Sequence, residues 1–138
     1  MNHPNQILLP AHWPRPKGYS NGMVAQGRQV FIAGQVGWNS ECRFTSTRLP
    51  DQLKQCLQNV VAILAEARGR PEHIVRLTWY LTSREEYLSQ LKEIGAAYRE
   101  VMGVHYPAMT AVQVAALMKT DAKIEIEATA IIPDVASA

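Results

Sequence analysis

The sequence predicts an α+β fold: a single mixed sheet with two amphipathic helices on one face. Three observations carry this reading. Two segments repeat apolar residues at spacings of three and four, which places them on one stripe of a helix. Several shorter segments alternate apolar and polar residues, as half-buried strands do. The resulting order is β-β-α-β-α-β-β. Strands separated by helices then require parallel crossovers, and the strands at the two ends are expected to pair as hairpins.

The elements follow in chain order. Met1 to Pro16 contains Pro4, Pro10, Pro14 and Pro16 and reads as an extended arm. Met23–Gln26 and Gln29–Ala33 flank Gly27 as a short hairpin, which Gly34-Gln35-Val36-Gly37 ends. Trp38 to Arg48 reads as loop. Asp51 to Arg68 is a helix with Leu53, Leu57, Val60, Val61 and Leu64 on one side. Pro50 suits its first turn, and Gly69 with Pro71 stops it. Val75, Leu77, Trp79 and Leu81 then alternate with Arg76, Thr78, Tyr80 and Thr82 along a strand. Ser83 and Glu86 form a capping box for a second helix, whose stripe runs from Tyr87 through Ile94 and Tyr98 to Met102, with Gly103 at its end. Ala108–Val114 and Lys123–Ile131 are the last two strands, the latter with Ile124, Ile126, Ala128 and Ala130 on one face.

With 138 residues, 47% hydrophobic and 19% charged, the chain suits one globular domain with a real core. A formal net charge of +2 with scattered basic residues makes nucleic acid an unfavoured partner. Cys42 and Cys56 match no zinc spacing and are expected to be free thiols in a reducing compartment. His3, His12, His73 and His105 show no ligand spacing, so no metal is expected. Neither a signal-peptide core nor a membrane-length apolar run is present in the sequence, and a cytoplasmic location is expected. Two helices leave one sheet face bare. Apolar alternation there favours burial by further copies of the chain.

Pro107 to Ala130 reads PAMTAVQVAALMKTDAKIEIEATA. This resembles the signature of the Rid (reactive intermediate deaminase) family, also called YjgF-like or endoribonuclease L-PSP: P-A-R-[ST]-x-V, then V-A-x-L, then E-I-E-A. Gly18-Tyr19-Ser20-Asn21-Gly22 is similar to the family's G-P-Y-S-Q-G, and Val30-Phe31-Ile32-Ala33-Gly34-Gln35 to its V-F-x-S-G-Q. The resemblance runs from Pro16 onward. It implies a chorismate-mutase-like (YjgF-like) fold, a homotrimer, and clefts each built from two chains. Active members hydrolyse enamines and imines such as 2-aminoacrylate to ketoacids and ammonia, with no metal and no cofactor.

The resemblance also implies a site. Glu125, the first glutamate of E-I-E-A, matches the residue that holds the attacking water, and a carboxylate beside an apolar cleft suits proton transfer. Tyr19 matches the cleft tyrosine. Ala33, Gly34 and Gln35 match the hydrogen-bonding segment, with Ala33 replacing a serine. Met109 and Thr110 match R-[ST] of the signature, so a thioether stands where active members bind the substrate carboxylate with an arginine. A guanidinium supplies charge-assisted bonds worth roughly 1.5–3 kcal/mol each, and methionine supplies none. Gly95 stands where an asparagine is common. From residue pattern alone, Glu125 is more often a solvated strand residue and Met109 core filler, and Tyr19 could cap a strand. Trp38 is open between lining the cleft and packing on the surface.

These residues support an enamine/imine deaminase-type hydrolase with altered specificity. The substrate would be a larger, less acidic imine, or one whose carboxylate lies further away and meets Arg15 or Lys17. A non-catalytic trimer that binds a small metabolite or carboxylate is the alternative. Endoribonuclease activity is disfavoured by the charge.

Overall fold

The last strand organises the molecule. In a computed structural model, which describes residues 5–134, β6 (Ile124–Ile132) lies inside a four-stranded sheet of order β3-β6-β4-β5. It runs antiparallel to β3 (Arg28–Val36) on one side and to β4 (Ile74–Leu81) on the other. The edge strand β5 (Ala108–Gln113) is parallel to β4. A separate ribbon pairs β1 (Asn5–Leu8) antiparallel with β2 (Gly22–Ala25). Among the described residues the helices are α1 (Leu49–Glu66), α2 (Arg84–Ser89) and α3 (Leu91–Met102), with a 3-10 turn at Pro71–His73.

The alternation read for the last strand is present: Ile124, Ile126, Ala128, Ala130 and Ile132 are buried and the residues between them are not. Against that face pack Leu53, Leu57, Val60 and Leu64 of α1, all fully buried. Each contributes about 1.5–3 kcal/mol relative to exposure. Ile94, Ala97, Tyr98 and Met102 of α3 close the core from the β4 side.

Several boundaries depart from the sequence reading, each for a local reason. Helix α1 begins at Leu49, one residue before Pro50, and ends at Glu66. Arg68 takes the left-handed turn after it, at φ +64°, and Gly69 donates its N–H to Leu64 O at 3.1 Å. A Cβ on Gly69 would stand 2.4 Å from Leu64 Cδ1, so the glycine serves close packing rather than the turn itself. The second helix is two helices, broken at Gln90. Ser83 caps α2 by accepting the Glu86 N–H at 3.0 Å, while the Glu86 carboxylate turns away to Lys123 Nζ at 2.6 Å. In β4 a register shift between Ile74 and Arg76 buries Ile74 where Val75 was expected.

Two pairings differ outright. The segments around Gly27 do not form a hairpin: β2 pairs with β1 and β3 with β6. Gly27 is needed because its backbone, at φ +148°, passes so close to Ile132 that a Cβ would stand 2.1 Å from Ile132 O. Nor do β5 and β6 pair, since β4 lies between them. The architecture is therefore an α+β fold of three helices with two sheets, in place of two helices on a single sheet. Residues 1–4 of the expected arm lie outside the described residues.

Gln52 of α1 is 1% exposed and fully bonded. Its Nε2 donates to Ser46 O (3.1 Å) and Asp121 O (3.0 Å), and its Oε1 accepts the Lys123 N–H (2.8 Å). One side chain thus joins the long loop before α1 and the loop before β6 to the helix. Gln52→Leu keeps the volume but removes three hydrogen bonds to part-buried backbone groups, and should cost about 3 kcal/mol. Urea unfolding should show a lower midpoint with an unchanged slope.

Candidate functional site

A cavity of ≈ 740 Å³ opens between the edge strand β5 and α3. Its floor is aromatic. Trp79 of β4 meets Tyr87 edge-on at 6.3 Å and Tyr98 at 6.1 Å, and Tyr98 stacks on Tyr106 at 5.2 Å with an interplanar angle of 9°. Tyr98 is fixed further by donating its hydroxyl to His105 O at 2.6 Å. Burial pushes the Tyr87 and Tyr98 phenols above their ordinary values, so both remain neutral.

Tyr19 reaches this cavity because of Ser20. The Ser20 N–H donates to Pro107 O (3.0 Å), its hydroxyl donates to Tyr106 O (2.5 Å), and Ser20 bridges to Ala108. The chain before β2 is thereby stitched to the start of β5. Met109 lines the same cavity while packing on the core, in register with buried Leu77. Thr110 lines it too, as does Gly95 of α3. Tyr19, Met109 and Thr110 are therefore brought together. Among the lining residues Lys17 and Arg99 are cationic and none is a carboxylate.

The second group of candidates lies elsewhere. The pairing of β3 with β6 shifts register between Ile32 and Gln35, so Ala33 and Gly34 form a bulge. The Glu125 carboxylate lies over that bulge: a Cβ on Gly34 would stand 2.9 Å from its Cδ and Oε2. Gln35 donates its side-chain N–H to Ala33 O at 3.1 Å. Ala33, Gly34 and Glu125 thus sit together on β3 and β6. Nearby, Tyr80 donates to Glu127 Oε1 at 2.5 Å, and this bond holds the Tyr80 phenol above its ordinary range. Among the described residues the Glu125 side chain has no ion pair and no hydrogen bond from protein.

Within one chain the two groups do not meet. Met109 is in register with Leu77 and Glu125 with Tyr80, on opposite faces, with β4 between their strands. Two strand spacings, about 9.5 Å, separate β5 from β6. The expectation that a hairpin or ladder joins them fails because β4 inserts there. Trp38 lies with neither group: it packs on Phe44 at 5.9 Å with Lys119 Nζ 5.2 Å above its ring. The sequence reading missed Arg99 and the aromatic floor of Trp79, Tyr87, Tyr98 and Tyr106. The only advance signal for Arg99 was its i,i+4 spacing from Gly95. Burial drives the Cys56 thiol upward, which makes it inert; Cys42 is exposed, and both are free. Among the described residues no His, Cys, Asp or Glu group is placed to hold a metal ion, and no helix is long and apolar enough to cross a membrane.

A helix-backed mixed sheet, an aromatic cavity on its edge strand and a carboxylate laid over a glycine bulge define an α+β protein with a small-molecule-sized cavity. Comparison with known proteins agrees. The family model described as endoribonuclease L-PSP matches residues 12–132. A human 2-iminobutanoate/2-iminopropanoate deaminase is 30% identical over 127 residues, spanning 91% of this chain and 89% of the human protein. A RutC family protein of Aquifex aeolicus is 36% identical over 119 residues, spanning 86% and 92%. The Rid family protein YyfB of Yersinia pestis superposes with a TM-score of 0.81 at 30% identity, covering 94% of this chain and all (100%) of its own. Escherichia coli TdcF with bound serine gives 0.66 at 31% identity, covering 92% and 98%. The chain belongs to the endoribonuclease L-PSP, or Rid, family.

Gly34→Ala tests the bulge. The new methyl group meets the movable end of Glu125, so the carboxylate should swing away while the fold persists. A crystal structure of the variant should show the displaced carboxylate, and the stability should change by less than about 1.5 kcal/mol.

Proposed function

We propose that the chain is a cytoplasmic enamine/imine deaminase of the Rid type with altered substrate specificity, acting in a cleft shared between copies of a homotrimer. The observation that carries this reading is Glu125. Its neighbour Glu127 is engaged by Tyr80 and Glu86 by Lys123, whereas Glu125 lies over Gly34 without a protein partner among the described residues. It is free to orient a water. The names of two relatives support the ligand class: one is a 2-iminobutanoate/2-iminopropanoate deaminase, and another holds serine.

In the proposed reaction, Glu125 takes a proton from water as its oxygen adds to the imine carbon. Glu125 returns that proton to nitrogen to give the carbinolamine; the carbinolamine hydroxyl proton then passes to nitrogen as the C–N bond breaks and C=O forms, releasing ammonia. The balance is imine plus water to carbonyl compound plus ammonia. An enamine enters by first taking a proton at carbon. No redox partner is needed.

The separation of the two groups supports a shared cleft. Met109, Thr110 and Tyr19 of one copy would face Glu125 and the Gly34 backbone of the next. The helix-free face supports assembly, since Phe31 there is 74% exposed and Val112 41%. Light scattering should give three times the 15.4 kDa chain mass. A monomer at micromolar concentration would refute the shared cleft.

A second reading has its own support. Met109, Ala33 and Gly95 each lack a polar group found in active members, which suits a trimer that binds a metabolite without turnover. Ammonia release from a panel of imines separates the two. We expect 2-aminoacrylate to turn over slowly, because Met109 offers its carboxylate no charge, and a larger imine to turn over faster. Glu125→Gln should lower the rate by about 100-fold or more. An equal rate in the variant would remove Glu125 from the chemistry.

A further inference from the structure

The charges on α3 divide into two sets. Glu93 pairs with Arg48, and Glu100 pairs with Lys54 at 2.6 Å, both across to the α1 side. Arg99, by contrast, has no carboxylate within ion-pairing distance among the described residues, and it lines the cavity above Tyr98 and Met109. Its side chain runs back over Gly95, one turn earlier. A Cβ on Gly95 would stand 3.3 Å from Arg99 Nη1, tighter than an ordinary contact. The absence of a side chain at position 95 therefore gives the guanidinium its path across the helix.

Two further features define what this cation faces. Trp79 is 3% exposed, lines the cavity, and has a buried Nε1–H with no hydrogen-bond partner. A buried donor without a partner is unfavourable. The walls between Trp79 and Arg99 are aromatic rings, and ≈ 740 Å³ is far more room than a three-carbon acid fills.

We propose that Arg99, reaching over Gly95, is the anion anchor of this cavity, and that the cavity takes a carboxylate with an aromatic or comparably large planar body. This rests on the reading of the cavity as the substrate half of the deaminase cleft. The positive charge missing at Met109 is supplied one helix away. The ring of the ligand stacks within the aromatic walls, and the carboxylate meets the guanidinium, which is suited to bidentate bonding. The greater reach from ring to cation selects a long acid over a short one.

Calorimetry with two stable 2-oxoacids, phenylpyruvate and pyruvate, tests this. Phenylpyruvate should bind at least about 10-fold tighter than pyruvate. Arg99→Gln should weaken phenylpyruvate by about 10- to 100-fold, the scale of charged hydrogen bonds, and Arg99→Lys should restore part of that loss. Gly95→Asn, which obstructs the path of the side chain, should weaken it as well. Unchanged affinity in Arg99→Gln, or equal affinity for the two acids in the wild type, overturns the proposal. Circular dichroism confirms that each variant is folded, which the exposed position of Arg99 favours. The two readings fail separately. Arg99-dependent binding with no turnover of any imine keeps the anchor and removes the hydrolase. Turnover indifferent to Arg99→Gln keeps the hydrolase and removes the anchor.

Discussion

Strand β6 has to be satisfied on both sides, and the rest of the structure depends on that constraint. A buried strand leaves costly orphans unless both rows of its backbone groups are paired. The partners of β6 are β3 and β4, which are joined through α1. Because both run antiparallel to β6, they run parallel to each other, and the helix must cross from one end of the sheet to the other. That crossing lays Leu53, Leu57, Val60 and Leu64 on the buried residues of β6. The next crossover, through α2 and α3, adds β5 at the outer edge of β4. Core, helix placement and edge strand all follow from one pairing.

The same pairing divides the candidate site. The tight approach of Glu125 to Gly34 exists because β3 bulges where it meets β6, and bulges re-aim side chains. The cavity lies beside β5, an edge strand beyond which only the bridge at Ser20 is found among the described residues. The bulge lies on β3 at one edge of the sheet and the cavity beside β5 at the other. A single copy has no means of folding them together without breaking the β4 ladder. Symmetry offers a route that costs no internal pairing, since a second copy can present its bulge to the first copy's edge.

Met109 sets the character of the cavity in more than one way. Its thioether lines the cavity with Trp79, Tyr98 and Tyr106 while packing on the core. The cavity then has an apolar floor and cations only at its rim, Lys17 and Arg99. Charge at a rim interacts with a more solvated group and exerts less force than charge at a floor. The shape and ring content of a ligand count for correspondingly more.

The sequence by itself determined what depends on local periodicity and on chemistry at fixed spacing. The stripe of α1, the alternation of β6, the Ser83 cap and the glycine turn after Met102 were all legible, because each is decided within a few residues. So was the family, through Pro107 to Ala130. Tertiary structure alone decided which strands became neighbours, and therefore which candidates share a place. Nothing local tells β6 to lie between β3 and β4 or β2 to pair with β1, because hydrogen-bonding edges carry no side-chain label. For that reason Tyr19 and Met109 came together, Glu125 joined Gly34 instead, and Trp38 packed under Lys119. Arg99 was equally hidden. A lone arginine on a helix surface reads as a solvated charge until the fold shows that a glycine one turn away has opened its path into an aromatic cavity.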